Sequence, residues 1–315
     1  MYETGDAPFK PPATPPISGA SSLPCVCVCR GPLRSGPLSF SGTLACVAVP
    51  GATASCAMRI AALYDIHGNL PALDAVLAEV DLLDVDAIVV GGDVVPGPMP
   101  AETVARLPDL GDRAHFVMGN GDREVIDAFD AGPAAADAEE WRFSPFTAWA
   151  AARLDRADRD VLAGFAAVVR LEVDDLGPTL FCHGSPRSDT EMITALTPPG
   201  RLGPMLEDVA EQVVVCGHTH HQFALELDGR RVLNAGSVGM PYQGAAAAFW
   251  LLLGPEAELR RTDYDVEGAL ETLRATGAPD VDELMLRQSL VDPVTADEVA
   301  RYFEDAAARE DARAG

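Results

Sequence analysis

The clearest hydrophobic pattern in the chain begins at Met58. Met58-Arg59-Ile60-Ala61-Ala62-Leu63-Tyr64 is a short, almost wholly apolar run that predicts a buried strand over 58–64. Leu70, Leu73, Val76, Leu77 and Val80 then recur at three- and four-residue spacing, which predicts an amphipathic helix over 70–81. A second apolar run at 86–90, a helix near 100–107 and a strand at 114–118 continue the alternation. Such βαβ units predict an α/β fold with a largely parallel sheet in the first half. A helical insert is expected near 122–164, where Ser144 can act as N-cap and Pro145 occupies the first helical position. Short strands are expected near 166–173, 179–182, 212–216, 222–227, 231–234 and 246–253. Few helices separate the last of these, so the second half predicts mixed or antiparallel sheet. Helices near 265–275, 282–289 and 295–309 close the chain.

Residues 1–57 carry neither period. They are rich in Pro, Gly, Ser and Ala and read as a disordered leader or an over-extended start, leaving 58–315 as a single domain. The segment lacks the basic start of a signal peptide, and Thr43 stands where a lipobox before Cys46 would need an aliphatic residue. No apolar run reaches the ~18 residues of a membrane span. Five of the seven cysteines fall in this segment; the spacing of Cys25, Cys27 and Cys29 is not that of a zinc site, and Cys182 and Cys216 read as core residues. With 23 Lys and Arg against 48 Asp and Glu, the net charge of -25 favours solubility and excludes non-specific nucleic-acid binding. A cytoplasmic location is expected, and a homo-oligomer is compatible with the composition.

The candidate chemistry lies where predicted strands end. Asp65-Ile66-His67 follows the first strand, and side chains two apart on extended backbone point to one side. Gly91-Gly92-Asp93 follows the second strand and Gly119-Asn120-Gly121-Asp122 the third. Later come His183 in Cys182-His183-Gly184 and the pair in Gly217-His218-Thr219-His220. A sixth segment, Asn234-Ala235-Gly236-Ser237-Val238-Gly239, supplies a Gly-rich turn without an obvious ligand. Open α/β sheets place their sites beyond the carboxyl ends of strands. Imidazole, carboxylate and amide oxygen together suit Mn, Fe, Zn, Ni or Co. His115 and His221 read as core or surface residues.

These segments and their order closely resemble the calcineurin-like metallophosphoesterase superfamily, in its small prokaryotic branch of phosphodiesterases and phosphatases. The resemblance covers roughly Met58 to Tyr264. It implies a four-layer αββα sandwich of two mixed sheets with flanking helices, and two divalent transition metals, Mn favoured. Asp65, His67 and His220 would hold the first metal, Asn120, His183 and His218 the second, with Asp93 bridging. A metal-bridging hydroxide, placed by Asp93 and Asn120, would attack phosphorus in line, the ions standing about 3.5–4 Å apart. The implied partner is a small phosphorylated substrate. Gly121 departs from relatives that carry histidine there as a candidate general acid, which puts proton delivery in doubt and favours activated aryl phosphodiesters. On that reading Gly121→His would supply a donor.

Several neighbours have a bland and a functional reading. Asn69 is expected as a helix cap or a substrate contact, Asp122 as a helix-terminal acid, and Arg123 and Arg187 as phosphate clamps. Trp141, Phe143, Phe146 and Trp149 are expected to pack on the sheet. The rival functions are a catalytically weak binding or scaffold protein on the same fold, a nucleotide or dinucleotide hydrolase, and a protein phosphatase. The acidic balance weighs against a DNA nuclease.

Overall fold

Successive residues of a strand face opposite ways, and the first strand divides its side chains between two cores. The computed structural model describes residues 58–132 and 145–314. The leader at 1–57, Trp141, Phe143 and Ser144 lie outside the described residues. In β1 (Ile60–Leu63), Ile60 and Ala62 join one buried cluster while Ala61 and Leu63 join another.

β1 pairs in parallel with β2 (Ala87–Val90), and β2 with β3 (Ala114–Phe116). On its other edge β1 runs antiparallel to β9 (Ala248–Leu253), which pairs antiparallel with β10 (Ala257–Thr262). The first sheet therefore has the order β10-β9-β1-β2-β3. The second contains β4 (Val168–Val173), β5 (Gly177–Cys182), β6 (Val213–Cys216), β7 (Phe223–Leu227) and β8 (Arg230–Asn234), in the order β4-β5-β6-β8-β7. Its central pairs β5–β6 and β6–β8 are parallel and its outer pairs antiparallel, so both sheets are mixed.

Ile60, Ala62, Tyr64 and Leu251 of the first sheet meet Phe181, Val215 and Leu233 of the second in one core. The outer face of the first sheet is covered by α1 (Leu70–Val80), which contributes Leu73, Val76 and Leu77 beside Trp250, and α2 (Pro100–Arg106) adds Val104 to the same cluster. The outer face of the second is covered by α6 (Pro199–Met205), with Leu202 and Met205 against Leu180 and Val214. Cys182 and Cys216 are free and buried in this last cluster. The layers run helix, sheet, sheet, helix.

Two elements depart from the sequence pattern. β10 is a polar edge strand, Ala-Glu-Leu-Arg-Arg-Thr, paired on one side only and hence without an apolar signature. α6 contains two glycines and two prolines, which read as loop until the buried Leu202 and Met205 anchor it. In the insert region, α3 (Asn120–Ala131), α4 (Pro145–Ala151) and α5 (Arg156–Ala163) are separate helices. Phe146 and Trp149 do not pack on a sheet: they join Leu273, Met285 and Leu286 of α7 (Val266–Ala275) and the π-helix at Asp282–Val291. The final helix, α8, spans Ala296–Ala314. No described helix is long and apolar enough to cross a membrane.

Candidate metal centre

The loops leaving β1, β2, β5 and β6 converge, and their backbones are bent to do so. Asp65, His67, Asp93, His218 and His220 all have positive φ, between 50° and 65°. Non-glycine residues rarely adopt this conformation, which collects at functional sites where the surroundings enforce it. Inter-loop hydrogen bonds do the enforcing: Asp65 N donates to Gly92 O at 3.0 Å, His67 N to Asp93 O at 2.9 Å and Gly217 N to His183 O at 2.8 Å.

Two groups of donors result. Asp65, His67 and His220 form one, and Asp93, His183 and His218 the other; within each, the candidate ligand atoms lie within 4.8 Å of one another. Asn120, at the start of α3, places its Oδ1 at 3.2 Å from His183 Nε2. The two Asp93 oxygens face different groups, with Oδ2 at 3.7 Å from His67 Nε2 and Oδ1 at 3.5 Å from His183 Nε2.

The histidine tautomers are fixed by their partners. Nδ1 of His67 meets Pro96 O at 2.9 Å, that of His183 meets Gly91 O at 2.9 Å, and that of His220 meets Met240 O at 2.7 Å. A carbonyl only accepts, so each Nδ1 must carry the proton, and each ring, when neutral, turns a bare Nε2 lone pair into the site. His67 Nε2 and His220 Nε2 then face each other at 3.1 Å. Two lone pairs at that distance repel; a shared cation removes the conflict. Asp65 Oδ1 is buried and has no hydrogen-bond partner among the described residues, 3.4 Å from His220 Nε2. The donor set therefore fits divalent metal ions, with carbonyls orienting the imidazoles from behind.

The electrostatics agree. Burial alone would raise the Asp65 carboxyl, but His220, His183 and His67 outweigh it and hold it down at about 2. Burial lowers His67, reinforced by His220, and takes His218 down to about 4, reinforced by His183. At His183 burial is overcome by Asp93 and Asp65, which raise it. That same carboxylate field attracts a metal cation.

The remaining sequence candidates fall in different places. Asn69 is fully buried with both ends of its amide engaged: its Oδ1 accepts from Ala72 N at 3.2 Å as the cap of α1, and its Nδ2 donates to Gly239 O at 2.9 Å. This corrects the expectation of a substrate contact. Asp122 is more than a helix-terminal acid, since its Oδ1 accepts from Val94 N and Val95 N at 2.8 and 3.1 Å and so holds the loop after Asp93. Burial, then the Asp93 charge, push its carboxyl up to about 7. Arg123 and Arg187 line a cavity of about 390 Å³ that reaches His183, together with Ser185 and Ser188. Arg123 is held there by Asp189 at 2.7 Å and Arg187 by Glu191 at 3.0 Å.

Gly121 has a steric reason to lack a side chain. A Cβ there would lie 2.4 Å from Pro96 Cγ and 3.0 Å from Asp93 Oδ1. The expectation that Gly121→His would simply add a donor is thereby overturned, because the position is filled by the Pro96 ring.

Sequence reasoning missed several supporting residues. Ser237 donates its hydroxyl to Asp65 O at 2.7 Å, and Asn234 donates to Gly217 O at 2.7 Å, so the sixth segment braces two ligand loops. The half-buried Glu124 lies one helical turn beyond Asn120, hydrogen-bonded to its amide, and burial raises its carboxyl. The Tyr242 ring stacks on His220 with centroids 5.0 Å apart. Only the i, i+4 spacing of Glu124 from Asn120 was readable in advance.

Comparison with known proteins gives a consistent picture. A profile of the calcineurin-like phosphoesterase superfamily domain matches residues 58–253. An uncharacterised protein of Methanocaldococcus jannaschii is 25% identical over 247 residues, covering 70% of this chain and 94% of that protein. Among solved structures, a metallophosphoesterase from Sphaerobacter thermophilus shares 27% identity with a TM-score of 0.57, over 71% of this chain and 96% of its own. A hypothetical protein from Pyrococcus horikoshii shares the fold at 15% identity and a TM-score of 0.62, over 72% and 98% of the two chains.

Proposed function

The chain belongs to the calcineurin-like phosphoesterase superfamily, and from that premise we propose that it is a two-metal phosphoesterase acting on a small phosphorylated substrate. The observation that carries this reading is the pair of donor groups, with Asp93 in one and facing His67 of the other, and three imidazoles oriented by backbone carbonyls at Nδ1. Asp65, His67 and His220 would hold one ion, Asn120, His183 and His218 the other, and Asp93 would contribute one oxygen to each. Two divalent transition ions, with manganese favoured, would supply charge neutralisation for phosphate oxygens and activation of a water for in-line attack.

The chain's own residues do the positioning. Pro96, Gly91 and Met240 carbonyls keep three rings oriented, and Asp122 fixes the backbone around Asp93. The cavity beside His183 would receive the ester's alcohol portion, with Arg123 and Arg187 at its wall. Because Pro96 fills the space beside Gly121, no imidazole stands there to protonate a departing alkoxide. Esters with good leaving groups, aryl phosphodiesters above all, are therefore the favoured substrates; general acid help, where present, contributes about 10²–10⁴-fold. The test is a panel of phosphomonoesters, phosphodiesters and nucleotides assayed with Mn, alongside metal analysis of protein purified without chelator. Bound metal with no hydrolysis anywhere on the panel would turn the reading toward a binding or scaffold protein.

A further inference from the structure

A separate pocket of about 520 Å³, lined by Tyr242 but by none of the proposed ligands, falls within the range of about 300–1,000 Å³ usual for ligand cavities. Tyr242, Val294, Val299, Tyr302 and Phe303 supply its apolar wall, and Glu298 and Gln288 its polar groups. Apart from Tyr242, all of these residues belong to the C-terminal helical region beyond 253, where the family match ends.

Three features define its chemistry. It has three aromatic rings, with Tyr302 and Phe303 edge to face at 5.5 Å and Tyr242 stacked on His220. Tyr302 is 65% exposed, which is unusual for a ring that a core could have absorbed. No lysine or arginine lines the pocket, whereas Glu298 does. The Glu298 carboxyl accepts from both Thr295 N at 3.0 Å and Thr295 Oγ1 at 2.7 Å, bonds that favour its charged form. Arg301 acts on Glu298 from outside the lining and lies 3.8 Å from Asp297, so the charge that faces the pocket itself is the carboxylate. Aromatic faces with a carboxylate attract an organic cation more than a phosphate. The net charge of -25 adds to that preference.

We propose that this pocket, formed by Tyr242 with the C-terminal helices, is a binding site for an alkylammonium group. A trialkylammonium presents a diffuse positive charge and an apolar surface together, which suits rings better than a strongly hydrated primary amine. Tyr242 alone among the lining residues stacks on His220, so an occupant would sit beside the candidate metal centre rather than in it.

The test is calorimetric titration of the full chain with choline and with its neutral carbon analogue, in which tert-butyl replaces trimethylammonium. The expected result is saturable choline binding, preferred over the analogue by about three- to five-fold, the worth of one exposed cation–π contact. Glu298→Gln keeps an oxygen for the Thr295 bonds and removes the charge, so it should erase most of that preference while leaving the fold intact. Tyr302→Ala, at an exposed position, should weaken choline more than the analogue. Equal binding of the two compounds would mean a merely apolar pocket, and absence of saturable binding would mean no site; either overturns the proposal. Tighter binding of adenosine, competing with choline and insensitive to Glu298→Gln, would assign the pocket to a planar base and overturn it too. None of these readouts involves phosphoester hydrolysis.

Discussion

The two donor groups of the metal centre are held with different firmness. In the Asp65, His67 and His220 group, all three residues are buried and both imidazoles are anchored by backbone carbonyls, at 2.9 and 2.7 Å. In the Asp93, His183 and His218 group, only His183 is anchored in this way. The His218 ring meets His183 edge-on at 5.2 Å, is partly exposed, and has no ring hydrogen bond among the described residues. Asn120, on a helix that also contacts α4 and α5, completes that side with a neutral amide oxygen. A donor that is already oriented loses less freedom on binding, and outer hydrogen bonds are worth about 10–100-fold in metal affinity. The first group should therefore bind its ion more tightly than the second.

The largest effect should come from removing what the groups share. Asp93→Asn leaves a neutral group between both sites and is expected to lower turnover by more than about 100-fold, exceeding the usual cost of an outer-shell change. Turnover close to that of the unaltered protein, with two metals bound, would break the assignment of Asp93. Nearly as damaging is any side chain at 121. Gly121→Ala already places a Cβ 2.4 Å from Pro96 Cγ, so the Asp93 loop must move, and activity should fall at least about tenfold. Pairing it with Pro96→Ala should recover part of that loss; no recovery would mean that the clash is not the cause.

A subtler prediction separates the groups. His67→Ala removes an anchored ligand from the tight site, whereas His218→Ala removes an unanchored one from the loose site. His218→Ala is expected to be rescued by excess manganese more fully than His67→Ala, as read from activity against metal concentration. Equal rescue would erase the difference between the groups. The smallest expected effect is that of starting the chain at Met58. Every proposed ligand and both cores lie beyond that residue, so hydrolysis and melting temperature should match the full chain.

Much of this centre was legible in the sequence because it depends on residue type at strand ends. Asp65, His67, Asp93, His183, His218 and His220 follow short apolar runs that read as strands, and the structure brings all six together. The four layers were an expectation from the family resemblance, and β1 and β5 fit them by burying side chains along their length. What was not legible depends on backbone atoms and on distant packing. The carbonyls of Pro96, Gly91 and Met240 set the imidazole tautomers, yet a carbonyl leaves no mark on residue identity. Asn69 reads first as a helix cap with a substrate contact still compatible, and its complete burial favours the cap. The steric conflict at Gly121 needs Pro96 from another loop, 25 residues earlier in the chain. Polar β10 and glycine-rich α6 escaped because pairing and two anchoring side chains outweigh local propensity.

The most direct test of the account is a manganese titration of chelator-stripped protein, with bound metal and hydrolysis of an aryl phosphodiester followed together. Two unequal steps are expected: one ion per chain binding tightly with little activity, then a weaker second ion whose binding tracks the rise in rate. Full activity at one bound ion per chain, or hydrolysis unaffected by stripping, would contradict the two-metal centre built around Asp93.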